Sequence, residues 1–236
     1  MGALDGRVIA VSGIGGGLGP EVARRLAADG ATLAFCDRDA GKMAAVGEEI
    51  GLPEERLDSR VVDLLDPADA RAWCDALVER FGRVDGLLHL VGGWRGGEPI
   101  ESFDLADYEW LHELLVVTTM HVTRAFHDAL TASGRGRFAI VSSKQAQLPE
   151  ATNAAYAATK ATAETWTLAL ADSFAGSGAT ANVVVINAIL TKRMREANPD
   201  KEYRGFTPAE SIADALAFLC SDAAAQMNGQ RLSLHP

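Results

Sequence analysis

Along the chain, short unbroken apolar runs alternate with longer stretches in which apolar residues recur every three or four positions. The runs are RVIAVS (7–12), ATLAFC (31–36), SRVVDL (59–64), VDGLLHLV (84–91), RFAIVS (137–142), ANVVVI (181–186) and QRLSL (230–234). Their length and their β-branched content predict strands. The helical spacing predicts helices near 18–29, 40–49, 67–81, 107–132, 153–175 and 208–221. Strand, helix, strand in this rhythm implies parallel strands joined by right-handed crossovers, and so an α/β fold with a doubly wound sheet of about seven strands and helices on both faces. In such sheets ligands bind beyond the carboxyl ends of the strands. Unusual residues at those ends are therefore the first candidates for chemistry.

The 236 residues, 48% of them hydrophobic, can bury a sizeable core as one domain spanning 1–236. Lys and Arg number 22 against 32 Asp and Glu, a net charge of −10. No basic run forms a patch for a polyanion, which argues against nucleic acid or an anionic membrane as partner. Cys36, Cys74 and Cys220 lack the CxxC or Cys/His spacing that holds a metal, and so sparse a set suits a reducing compartment. The amino terminus has no basic n-region, and no apolar stretch approaches the roughly 18 residues of a membrane span. The expected location is the cytoplasm.

The first strand runs into SGIGGGLG (12–19), where Gly13, Gly17 and Gly19 permit a tight turn and the close approach of a pyrophosphate to the positive end of a helix. The second strand ends in FCDRD, with Asp37 placed 18 residues after Gly19, where a carboxylate can accept from a ribose diol. An acid there repels a 2′-phosphate, which favours NAD(H) over NADP(H); the neighbouring Arg38 could bind that phosphate if Asp37 turned away. Asp63 and Leu64 close the third strand, where a carboxylate can meet an adenine amino group. Finally, AAYAATKA (154–161) sets Tyr156 and Lys160 four apart, on one face of a helix. Alone, that pair also fits a core helix with one snorkelling lysine.

In combination, the glycine loop, the strand-end acid and YxxxK resemble the short-chain dehydrogenase/reductases over nearly the whole chain. The resemblance implies a Rossmann-type fold. In that family a catalytic Ser precedes the Tyr by 13 residues, which falls on Ser143. GFTPAESIADALAFLCSD (205–222) and NGQRLSL (228–234) are similar to the family's last helix and strand. The resemblance implies hydride transfer between a nicotinamide and the carbonyl or alcohol of a small molecule. Tyr156 would exchange a proton with the substrate oxygen, Ser143 would hydrogen-bond that oxygen, and Lys160 would bind the nicotinamide ribose and depress the tyrosine pKa. Lowering a Tyr from about 10 to about 7 takes roughly 4 kcal/mol, and a unit charge about 4 Å away at an effective dielectric of about 20 supplies a similar amount. Cofactor contacts are implied at Gly13, Gly17, Leu18, Gly19, Asp37, Asp63, Leu64, Gly92, Tyr156, Lys160, Ile189 and Thr191. Substrate contacts are expected at Trp94, Gln145, Met194 and Tyr203, the last two on a lid over 191–206. A homodimer or homotetramer is expected.

Three positions depart from the family pattern. His89, Leu90 and Val91 stand where the family has Asn-Asn-Ala, although Gly92 remains. Leu115, Val116 and Val117 stand near the expected place of a catalytic Asn, so its water relay must be altered or supplied by a neighbour such as Thr118. Ile186-Asn187 replaces Pro-Gly. Together with VGGWRGG (91–97) and the 191–208 stretch, these departures resemble the dihydropteridine-reductase branch, in which NADH reduces a pterin and Trp94 could stack on the ring; Ser143 counts against that branch. A non-catalytic dinucleotide sensor or partner subunit is a third reading. His112, His121 and His127 share one helix without metal-binding spacing.

Overall fold

A computed structural model describes residues 2–235. All seven apolar runs become strands of one parallel sheet. They are β1 (Val8–Ser12), β2 (Thr32–Asp37), β3 (Leu57–Val61), β4 (Gly86–His89), β5 (Arg137–Ser143), β6 (Thr180–Ile186) and, after two short strands taken up below, β9 (Arg231–Ser233). Their order is β3-β2-β1-β4-β5-β6-β9. The chain therefore builds outward from β1 in one direction, returns, and builds outward in the other. The switch between β1 and β4 opens a crevice at their carboxyl ends.

Residue alternation along the strands divides the core in two. Ile9, Val11, Leu33 and Phe35 face α1 (Gly19–Ala28), α2 (Ala40–Ile50) and α8 (Ala209–Cys220), through Val22, Leu26, Met43, Ile212 and Leu216. Ala10, Ala34 and Cys36 face the opposite layer, built of α3 (Pro67–Phe81), α4 (Leu105–His112), α5 (Thr118–Ala132) and α6 (Ala154–Ser173), through Trp73, Leu77, Val122, Phe126 and Leu170. Central strands covered on both sides read as unbroken apolar runs, and β1 is buried at all five positions. At the edge, β3 is largely exposed. It begins at Leu57, opposite Leu33, and pairing ends at Val61, so Asp63 and Leu64 lie in the turn that follows.

The helix expected over 107–132 is two helices joined by a π-turn at Glu113–Val117. The Thr118 N–H reaches back to the Glu113 carbonyl rather than to that of Leu114, and the Thr118 hydroxyl donates to the Leu114 carbonyl at 2.7 Å. The segment expected to be a lid carries structure of its own. β7 (Ala188–Leu190) and β8 (Phe206–Pro208) pair in parallel as a separate two-stranded sheet, and α7 (Lys192–Ala197) rises between them, capped by Thr191, whose hydroxyl accepts from the Met194 N–H at 3.2 Å.

Candidate active site

The SGIGGGLG loop takes its shape from contacts that only glycine allows. Gly13 has φ +77°, and a Cβ there would fall 2.7 Å from the Val91 nitrogen; at Gly19 it would fall 1.8 Å from the Ile14 carbonyl oxygen. The turn thus presses against the strand-end segment of β4 on one side and closes onto α1 on the other. Leu18, the residue before α1, supplies no side-chain cap, which leaves the amide groups of the first turn to a ligand. Gly13, Gly16, Gly17, Leu18 and Gly19 line one wall of a cleft of about 740 Å³. Thr191 stands against this loop, since a Cβ on Gly17 would approach its Cγ2 to 3.3 Å.

Beyond Gly13 a second hollow of about 320 Å³ is lined by Asp37, Arg38, Asp63, Leu64 and Gly92. Asp37 is fixed there by the backbone: Oδ2 accepts from the Gly15 N–H at 2.8 Å and Oδ1 from the Asp39 N–H at 3.0 Å. The Arg38 guanidinium lies with Nε 4.0 Å from Asp63 Oδ1. Asp63 itself shapes its turn by accepting from the Leu65 N–H at 3.1 Å. The two hollows share Gly13, Gly16, Leu90, Val91 and Gly92, so one elongated ligand can occupy both.

Tyr156 and Lys160 project from α6 into the larger cleft, with the Lys160 Nζ 5.9 Å from the centre of the tyrosine ring. The ammonium group donates to the Val141 carbonyl at 2.8 Å. Burial pulls the Lys160 pKa down to about 8, against a smaller opposing influence from Glu164. Burial likewise pushes the Tyr156 phenol up, and a hydrogen bond with Ser143 opposes it. In the free chain the largest influence on the phenol is therefore its own burial. Ser143 is buried, and its Oγ accepts from the Gln145 N–H at 3.2 Å, leaving its own proton to donate. The adjacent Ser142 hydroxyl, on the cleft wall, has no partner among the described residues.

His89, in place of the family's Asn, is buried and forms part of the inner wall of the cleft. Its Nδ1 lies 2.7 Å from Ser12 Oγ and its Nε2 lies 3.1 Å from Thr118 Oγ1. Because the Thr118 proton is committed to Leu114, Nε2 must carry the ring proton and donate to Thr118, and Ser12 must donate to Nδ1. Burial, with the nearby Lys160 charge, drops the His89 pKa to about 3. Thr118 borders the smaller hollow rather than the cleft that holds Lys160, and its hydroxyl is occupied on both sides. The spacing near 115–117 marked this region as altered, but a His–Thr pair across 29 residues leaves no local signal.

Among the expected substrate contacts, Trp94, Gln145 and Met194 line the cleft, as does Ile189 on the cofactor side. Trp94 remains 57% exposed at the mouth. Tyr203 is turned inward to the lid, its hydroxyl donating to the Met194 carbonyl at 2.7 Å and its ring packed edge-on to Phe206. Phe206, which sequence reasoning did not single out, lines the cleft instead. No helix among the described residues is long and apolar enough to cross a membrane.

Taken together, a glycine-lined crevice at a topological switch point and a Tyr–Lys pair facing it define a dinucleotide-dependent oxidoreductase. The chain belongs to the short chain dehydrogenase family, whose model matches residues 7–202. It is 30% identical to the galactitol 2-dehydrogenase (L-tagatose-forming) of Cereibacter sphaeroides, over 98% of this chain and 94% of that one. It is 27% identical to the 7alpha-hydroxysteroid dehydrogenase of Escherichia coli (strain K12), over 98% and 93%. Levodione reductase has a similar structure, with a TM-score of 0.88, 25% identity and coverage of 98% of this chain and 97% of that one. The protein is an NAD(P)-dependent oxidoreductase that moves a hydride between the nicotinamide and a carbonyl or alcohol carbon of a small molecule. Nothing in these likenesses supports the pterin-reducing or the non-catalytic reading.

Proposed function

We propose that this enzyme uses NAD(H) in preference to NADP(H) and acts on an uncharged small molecule, with Tyr156 as proton donor and acceptor, Ser143 as hydrogen-bond donor to the reacting oxygen, and Lys160 on the nicotinamide ribose. The observation that carries this reading is the shared cleft: the glycine loop, Tyr156 and Lys160 line a single space. The uncapped start of α1 and the glycine cradle fit a dinucleotide pyrophosphate, and Asp37 fits its adenosine ribose. When bound, the dinucleotide supplies or accepts the hydride. Tyr156 then gives a proton to the substrate oxygen in reduction, or takes one in oxidation, while Ser143 stabilises the charge that develops there. Lys160, once its ammonium faces the phenol, favours the phenolate and eases that exchange.

The preference for NAD(H) rests on how Asp37 is held. Swinging its carboxylate aside to admit a 2′-phosphate would strip two backbone N–H groups of their acceptor, and Arg38 leans toward Asp63. The substrate reading rests on the walls of the cleft. Trp94, Ile186, Ile189, Met194 and Phe206 are apolar, Gln145 and Asn187 are neutral and polar, and among the described residues Lys160 is the one charge that lines the space. The lid's Arg195 and Lys192 are paired with Glu210 and Glu196. A cytoplasmic setting, supported by the sparse, unpaired cysteines, and a homo-oligomeric state belong to the same proposal.

Calorimetric titration and a carbonyl screen test these points together. NADH is expected to bind at least about tenfold tighter than NADPH, roughly 1.4 kcal/mol; equal or tighter NADPH binding would mean that Arg38 meets the ribose instead. On a confirmed substrate, Tyr156→Phe is expected to keep cofactor affinity and lose turnover by about 10² or more. Wild-type turnover in that variant removes Tyr156 from the chemistry.

A further inference from the structure

One buried charge close to the reaction has no part in the roles above. Glu164 lies one helical turn beyond Lys160 on α6 and is 1% exposed. Its Oε2 accepts from Arg231 Nε at 2.5 Å and from Gln147 Nε2 at 3.4 Å. Oε1, equally buried, has no hydrogen-bond partner among the described residues. Burying a carboxylate with one oxygen unsatisfied destabilises a fold. Arg231 does not explain it, because that side chain is 39% exposed and could meet a carboxylate at the surface.

The spacing offers an explanation. Tyr156, Lys160 and Glu164 follow at successive steps of four, which places them along one side of the helix. Lys160 is buried, and its one described hydrogen bond goes to a neutral carbonyl. The titratable and charged groups around it are few. Tyr156 and Glu164 share its helix, and His89 approaches from β4 as a neutral ring. The turn after β5 carries Lys144, and the Glu113 carboxylate of the π-turn borders the smaller hollow. Asp107 of α4 is engaged by Arg95 and His112 stacks on Tyr108, while His127 of α5 meets α6 farther along, at Ser173. Arg231, from β9, reaches Glu164 and not Lys160. Glu164 is therefore the anion placed to balance the lysine.

We propose that Glu164 is a positioning residue for the reaction: its buried carboxylate keeps Lys160 an ammonium, supplying the charge that Tyr156 and the nicotinamide ribose require. The proposal rests on the roles given above to Tyr156 and Lys160. It accounts for the empty Oε1, because an oxygen left without a neutral donor keeps its field for the cation one turn away. Burial already weakens the lysine's hold on its proton, and without Glu164 the proton would leave at lower pH.

The test separates this role from a structural one by its pH dependence. Glu164→Gln keeps the shape and an acceptor for Arg231 but removes the charge. In carbonyl reduction the basic limb of the turnover profile is expected to move down by about one pH unit, with turnover and NADH affinity at pH 6 within about twofold of wild type, where Lys160 is protonated in both. The lysine itself is read without substrate by ¹³C NMR of labelled lysine, its signal assigned by loss in Lys160→Met; its titration, near 8 in the wild type, is expected to fall by a similar amount. Glu164→Asp, which withdraws the charge by one methylene, gives a smaller fall in the same direction and serves alone if Glu164→Gln does not fold. An unmoved titration in either variant, or an equal loss of turnover at every pH, overturns the proposal. A wild type inert toward every carbonyl would sink the substrate reading, while the NMR titration still decides the role of Glu164.

Discussion

Asp85 and Lys160 are both buried ionisable groups, and the two ends of the sheet treat them in opposite ways. Asp85 sits just before β4, at the end where the strands begin. It accepts from the Val8 N–H at 3.0 Å, from Ser133 Oγ at 2.6 Å and from Arg83 and Arg135 at 2.5 and 3.2 Å. Burial pushes its pKa up, but the bonds from Arg83, Ser133 and the Val8 N–H together carry it below the ordinary carboxylate value. Lys160, at the end where the strands finish, has one neutral acceptor, and burial prevails. A charge whose partners are complete holds the fold together. One whose partners are incomplete strains the fold until a ligand completes them, and that is the mark of a working site.

The sharpest way to break this contrast is Lys160→Met. Turnover is expected to fall by roughly 10³, yet the fold should gain up to about 3 kcal/mol at pH 7. The sign follows from the depressed pKa: the folded chain pays for holding the proton at every pH below about 8, and that penalty fades as pH rises toward the ordinary 10.5. Urea titrations at pH 7 and pH 10 check it; a variant less stable than wild type at pH 7 contradicts the account. At the other end, Asp85→Ala is expected to lose about 3 kcal/mol of stability, since it orphans a buried N–H and unpairs two arginines, while the NADH affinity of the folded fraction stays unchanged. Altered cofactor binding there would erase the division between the ends.

His89 sharpens the contrast with the smallest effect. Its folded pKa near 3 lies below the ordinary 6.5, so its contribution is complete above pH 6.5 and is lost as pH falls toward 3. Between pH 6.5 and 4.5 the wild type is expected to lose about 2.3 kcal/mol more than His89→Asn, read from unfolding midpoints at both values. Parallel losses in the two proteins would mean that His89 takes up a proton freely.

What the sequence disclosed divides along similar lines. Tyr156, Lys160, the glycine loop and all seven sheet strands were legible because each is written in local spacing: a step of four, a turn that only glycine can make, an apolar run covered on both faces. Trp94, Gln145 and Met194 also fall on the cleft, although their roles there remain proposals. Tyr203 turned away because its hydroxyl found the Met194 carbonyl within the lid. The pairings that tune the site were hidden for a common reason. Ser12 with His89, His89 with Thr118 and Glu164 with Arg231 join residues 77, 29 and 67 positions apart, and only the strand order brings them together. The π-turn was equally silent, since its apolar pattern passes for an ordinary helix.

That π-turn bears on how the chain tolerates change in length. Each residue of an α-helix advances the ring of side chains by about 100°, and a π-turn is a helix carrying one residue more than that ladder needs. Between Leu111 on one side and Val122 and Phe126 on the other, all fully buried, the surplus residue acts as a phase adjuster. Deleting one residue from Glu113–Val117 is expected to let the ladder close as a regular α-helix while Leu111 on one side and Val122 and Phe126 on the other keep their buried faces, whereas a deletion elsewhere in α4 or α5 would turn one half against the other by that angle. The π-turn is thus the one stretch of this layer where the chain can lose a residue and keep both faces of the helix in place.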